Sequence, residues 1–235
     1  KLVLERNGLR IGLIGLMGVQ AAIEAPNKRP VTFDDPTQTA TTTVRELREQ
    51  DKVDIVVVLS HSGVKRDGDS WTGEELDYAK NIPGIDVIVG GHSHTALFDP
   101  IMVGKVPVLQ AGAFTKYVGN LKLQRVSDTW QKAAYKLYTV DDALGGVAAI
   151  DHKVADLKKV VEEKILKPMG FSFDQPFAKV DADHTLRQTD HLIGTLVSSA
   201  LQEAANADIG FIANGELRDD LQRGHSGIET LSDIF

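Results

Sequence analysis

Apolar and polar positions alternate early in the chain in a way that predicts a hairpin. Leu2-Val-Leu4 and Leu9 to Leu16 form two apolar arms on either side of Asn7-Gly8, the strongest short signal for a two-residue reversal. Ile11 to Val19 also imitates the apolar core of a signal peptide, since it follows Lys1, Arg6 and Arg10 and runs into Ala21-Ala22. The matching arm at Leu2 favours a strand, and the stretch is too short to span a bilayer. A chain that opens inside a hairpin reads as part of something longer.

Strands and helices then take turns. Thr37 to Gln50, behind Pro36, carries Val44 and Leu47 on a thin apolar face and predicts a helix. Val53 to Leu59 is a continuous β-branched run, the pattern of a parallel strand buried on both faces. Trp71 to Lys80 predicts a second helix, with Thr72 as N-cap and Glu74 and Glu75 favourable in its first turn. Pro83-Gly84 turns the chain into Ile85 to Val89, another buried-strand pattern. Strand, helix, strand at this spacing is a right-handed βαβ unit.

After Gly91 the texture changes. Ile101 to Val103 and Val106 to Leu109 flank Gly104-Lys105 as a hairpin, and Tyr117 to Val126 and Trp130 to Val140 predict two more strands. Asp151 to Lys167 is a charged amphipathic helix that ends at Pro168 and Gly170, placed where a linker between domains would sit. His191 to Asn206 predicts a helix, Asp208 to Ala213 a short strand, and Ile228 to Ile234 the start of a helix.

Composition narrows the function. The 235 residues allow one large domain or two modest ones. Lys plus Arg number 26 against 33 Asp plus Glu, a net charge of −7, which argues against binding a nucleic-acid polymer. The absence of cysteine excludes disulfides, thiolate metal sites and cysteine nucleophiles. No stretch predicts a membrane span.

Candidate chemistry gathers at strand ends. His61 follows the first buried strand by two residues, and His92 and His94 follow the second in Gly90-Gly-His-Ser-His-Thr95. Open parallel sheets bind ligands just beyond the carboxyl ends of their strands. Residues two apart in extended chain point the same way, so His92 and His94 are expected to face one site, with His61 about 4.8 Å across on the neighbouring strand. Three imidazoles placed so suit zinc and similar ions. Each taken singly also reads as a loop histidine bonded to a nearby carbonyl. Gly90 and Gly91 are expected to let the backbone turn tightly. His152, His184, His191 and His225 have no such context and read as surface or capping residues. Gly91-His-Ser-His-Thr95 also resembles a nucleophile elbow with Ser93 as nucleophile, but it ends in Thr95 and leads into a hairpin rather than a helix.

Four blocks together resemble the second half of the metallophosphatase domain of the 5'-nucleotidase family. They are Asn7 to Gly15, Leu-Ser-His-Ser-Gly63, Gly84 to Thr95, and Ala111-Gly-Ala-Phe-Thr-Lys-Tyr-Val-Gly119. Farther on, Arg187 to Leu196 and Ala207 to Arg218 are similar to the start of that family's C-terminal nucleotide-binding domain. The fold this implies is α/β and two-domain. Residues 1–146 would be the C-terminal half of a four-layer metallophosphatase β-sandwich flanked by helices. Residues 147–168 would be a linker helix, and residues 169–235 the start of an α+β nucleotide-binding domain.

The resemblance implies a phosphohydrolase of nucleotides that uses two divalent metal ions, zinc, manganese or similar. His61 and His92 match ligands of one ion and His94 the position serving the other. Arg187 and Arg218 match arginines that contact substrate, with ion pairs to neighbouring aspartates as the plain alternative. Asn214 or Ala213 takes the place of the family's asparagine, because that motif is one residue short here. The remaining ligands and the leaving-group pair belong to segments upstream of Lys1, and the base-sandwiching aromatics to segments beyond Phe235. No residue of this chain is therefore expected to be catalytic itself, and the chain is expected to hold only part of each metal site. Alternatives are a non-catalytic nucleotide-binding relative and the cyclic-nucleotide phosphodiesterase or thiosulfate-oxidation branches. A periplasmic or extracellular location is implied by resemblance alone.

Overall fold

The computed structural model describes residues 1–25, 27–141, 143–180, 192–213, 216–217 and 228–230. The chain divides into two compact units, Lys1–Gly145 and Gly146–Phe235.

The first unit is built on a six-stranded sheet. Its strands are β1 (Leu2–Arg6), β2 (Leu9–Met17), β3 (Ile55–His61), β6 (Val87–Gly90), β7 (Ile101–Val103) and β8 (Val106–Gln110), in the order β1-β2-β3-β6-β8-β7. The four central strands β2, β3, β6 and β8 are parallel, and β1 and β7 close the edges antiparallel. Asn7 and Gly8 make the first reversal with φ of 51° and 79°, the left-handed pair a two-residue hairpin turn requires. Helix α1 (Val19–Ile23) follows β2 directly. Helix α2 (Pro36–Glu49) begins where Asp35 Oδ1 accepts the Gln38 amide at 2.7 Å, and it buries Ala40, Val44 and Leu47 at i, i+4 and i+7. These side chains join Ile14, Leu16, Val56, Val58, Ile88 and Val108 in one core on one side of the sheet.

The expectation of strands buried on both faces is corrected in part. Along β3, Val56 and Val58 are buried while Leu59 is 47% exposed, and in β6 Ile88 is buried while Val89 is 38% exposed. Ile55, Val87 and Leu109 are buried on the second face, so among the described residues it is left open only near Leu59 and Val89, where burial follows the two-residue period. The third helix is also shorter than its pattern predicts. Ser70–Thr72 is strand β5, paired with β4 (Lys65–Asp67), and α3 runs Glu74–Asn81 with Gly73, not Thr72, as its N-cap. A local hairpin that turns at Gly68-Asp69 takes those residues out of the helix, a turn signal the helical reading passed over.

Strands β9 (Tyr117–Val126) and β10 (Thr129–Thr139) form a separate antiparallel pair. Trp130 Nε1 anchors this hairpin by donating to the Asp54 carbonyl at 2.9 Å. Arg48 ties the amino-terminal edge of the main sheet, donating to the Val53, Asp54 and Gly84 carbonyls and pairing with Asp86.

In the second unit, α4 (Ala148–Val161) is exposed along its length and passes into a π-helical turn (Glu162–Leu166) and a 3₁₀ turn (Lys167–Met169) ending at Gly170. Helix α5 spans Leu192–Ala205. Strand β11 (Pro176–Lys179) pairs antiparallel with β12 (Ile228–Thr230), so the helix start expected at Ile228 is instead a strand. Asp208 to Ala213 is irregular rather than a strand, with Ile209 and Phe211 exposed and no paired neighbour among the described residues. A strand needs a partner, which Ile228 finds in distant chain and Asp208 to Ala213 does not find among the described residues, and a local pattern does not carry that. No helix of the described residues is long and apolar enough to cross a membrane.

Candidate metal centre

His61 ends β3, and His92 lies in the loop that leaves β6, the adjacent parallel strand. The sheet thereby brings two imidazoles to its carboxyl rim, with ring centroids 4.9 Å apart at 62°. His61 is exposed and His92 half-buried, so both are open to an incoming ion. His92 Nε2 also lies 3.4 Å from the Glu24 carboxylate just past α1.

His94 takes a different course. His92 and His94 adopt φ of 71° and 55°, so the segment is coiled rather than extended. His94 leans on Phe114, with ring centroids 5.3 Å apart. The expectation that His92 and His94 point the same way is corrected on that ground. Gly90 avoids side-chain obstruction in the expected sense, since a Cβ there would stand 2.1 Å from Glu75 Oε2, although neither Gly90 nor Gly91 has positive φ. His152 is exposed on α4. Arg187, Arg218, Asn214, His184, His191 and His225 lie outside the described residues.

Ser93 is held by its neighbours. Its Oγ donates to the Val64 carbonyl at 2.7 Å, accepts the Val64 amide at 3.1 Å and lies within 3.1 Å of the Gln110 carboxamide. A hydroxyl so engaged pins the histidine loop to the chain beyond β3, and no imidazole bonds to it among the described residues.

A second support, unnoticed in the sequence, comes from the first turn of α3. Glu74 accepts the Val19 and Gln20 amides at 2.9 and 3.3 Å and the Tyr78 hydroxyl at 2.7 Å, capping α1. Burial raises its pKa, but those three hydrogen bonds outweigh burial and hold the carboxyl below its ordinary range. Glu75 is fully buried, and its Oε1 accepts the Gly63 amide at 2.9 Å. Desolvation pushes the Glu75 carboxyl up, against the lowering effect of the Gly63 and Gly91 amides. In the sequence this pair looks only like acidic residues favouring a helix start. The one available signal was Glu75 on the helix side that also carries buried Tyr78.

Zinc-class ions take imidazole and carboxylate donors. His61, His92 and Glu24 fit in type, yet among the described residues no three such groups converge into a metal-holding set. The described residues alone thus bring together two imidazoles and a nearby carboxylate.

Residues 12–96 match the calcineurin-like phosphoesterase family. The chain is 39% identical over 272 aligned positions to a 2',3'-cyclic-nucleotide 2'-phosphodiesterase/3'-nucleotidase of Yersinia enterocolitica, covering 98% of this chain and 42% of that protein. It is 22% identical to the 5'-nucleotidase of Vibrio cholerae, covering 94% of this chain and 47% of that protein. The sulfate thiohydrolase SoxB structure from Thermus thermophilus superposes with a TM-score of 0.63 at 22% identity, over 87% of this chain and 35% of that one, and shares the fold. The chain spans less than half the length of each of these three relatives. Residues 12–96 thus form a calcineurin-like phosphoesterase segment, and most of the chain is similar to nucleotidases and nucleotide phosphodiesterases that carry one.

Proposed function

We propose that the protein containing this chain is a metal-dependent phosphohydrolase of nucleotides. The observation that carries the reading is the meeting of His61 and His92 at the carboxyl rim of adjacent parallel strands, inside the segment that matches the phosphoesterase family. His61 and His92 would hold one divalent ion, and His94 would serve a second. Such ions, when bound, polarise phosphoryl oxygens and make an attacking water more acidic. The chain's own part is to hold these imidazoles at fixed spacing through the loops that Ser93 and Glu75 anchor. Residues 169–235 would begin the nucleotide-binding domain, with Arg187, Arg218 and Asn214 toward substrate. The resemblance adds a periplasmic or extracellular location, which cell fractionation tests.

Phosphate release from AMP and UDP-glucose by the full-length protein, with and without chelator, tests the activity. Release that chelator abolishes and Mn²⁺ or Zn²⁺ restores is expected. No metal-dependent release from any nucleotide would leave a non-catalytic binding role. The Yersinia enterocolitica relative favours one second reading, in which 2',3'-cyclic nucleotides are the preferred substrates. Including 2',3'-cyclic AMP in the same assay separates the two.

A further inference from the structure

Among the described residues, Glu75 is the only carboxylate, amine or guanidinium side chain that is fully buried. Placing such a group in a core is costly unless its polar atoms are used. Oε1 is used twice, accepting the amides of Gly63 at 2.9 Å and of Gly91 at 3.4 Å. Gly63 lies two residues beyond His61, and Gly91 immediately precedes His92. Oε2 has no hydrogen-bond partner among the described residues. It fills the space a side chain at Gly90 would take, since a Cβ there would stand 2.1 Å away. Gly90 is therefore glycine for reasons of approach, not of backbone conformation. Through Glu74 and Glu75, one helical turn reaches the loops after β2, β3 and β6.

We propose that Glu75 is a positioning residue: its carboxylate joins the loops after β3 and β6, so that His61 and His92 present their rings to one ion. This rests on the phosphohydrolase reading above. Supporting partners behind metal ligands typically carry about 10–100-fold in metal affinity. A carboxamide at position 75 keeps an oxygen that can accept both amides, whereas alanine leaves both amides unpaired.

The test uses the full-length protein in three variants, Glu75→Ala, Glu75→Gln and Gly90→Ala. Zn²⁺ affinity is measured by calorimetry, and the His61–His92 ring contact in metal-free protein by proton NMR. Circular dichroism checks folding. Glu75→Ala is expected to weaken Zn²⁺ binding by about tenfold and to lose the ring contact. Glu75→Gln should stay within about twofold of wild type. Gly90→Ala drives a methyl into the carboxylate and should reproduce the alanine defect, which covers the case in which Glu75→Ala does not fold. Wild-type affinity and ring contact in either folded variant would overturn the proposal, as would Glu75→Gln failing as badly as Glu75→Ala. Should wild type take up no Zn²⁺, the phosphohydrolase reading falls. The ring contact alone then decides the clamp, its loss in a folded Glu75→Ala or Gly90→Ala supporting it and its persistence overturning it.

Discussion

His92 and His94 are separated by one residue yet serve different neighbours, His61 for one and Phe114 for the other. On the proposed reading the two histidines have unequal effects. His61→Ala and His92→Ala should each weaken the first Zn²⁺ by about tenfold or more, while His94→Ala should leave that ion unchanged. Calorimetric titration of the full-length protein reads both, and an equal loss in all three would show that the rings share one ion. Glu75 supplies a prediction of another kind. Its native pKa is raised above the ordinary value of 4.5, so the stability it contributes is complete below that value and is lost as pH rises through the native one. Urea midpoints of wild type against Glu75→Gln, taken across pH, should show wild type losing ground as pH rises and then levelling. A pH-independent gap would mean that burial does not disfavour the charged carboxylate.

Elements in this chain owe their boundaries to different causes. Helix α2 is locally encoded, from the Asp35 cap and Pro36 to the spacing of Ala40, Val44 and Leu47. Asp35→Ala should therefore cost about 1 kcal/mol, seen as a lower denaturation midpoint with unchanged slope; no change would mean the cap is idle. The start of helix α3 is set by a competing local signal, the hairpin that turns at Gly68-Asp69 and pairs Ser70–Thr72 with Lys65–Asp67. Strand β12 differs, since its partner Pro176–Lys179 lies far away in sequence. Continuous β-branched runs could be read as strands in advance, but not which of their faces would be covered.

For the whole molecule, the main consequence of that open face is a hollow beside His61 lined by Met17, Phe33, Leu59 and Val89. Parallel sheets are ordinarily covered on both sides, and exposed apolar patches drive association. This chain by itself should self-associate in a concentration-dependent way, and Leu59→Lys with Val89→Thr should reduce it. Sedimentation velocity across a range of concentrations reads this, and a monomer indifferent to both changes would refute it.

Local order along the chain was enough to determine the parallel βαβ arrangement, the hairpins at Asn7-Gly8 and Gly104-Lys105, and the placement of His61 and His92 at strand ends. Each depends on residue type, period or turn chemistry within a short window. Tertiary structure alone decided that the rings of His61 and His92 meet, that the ring of His94 turns to Phe114, and that a carboxylate beneath Gly90 ties two loops together. Those outcomes rest on distances between segments 12 to 31 residues apart and on left-handed backbone at His92 and His94, neither of which a one-dimensional pattern contains.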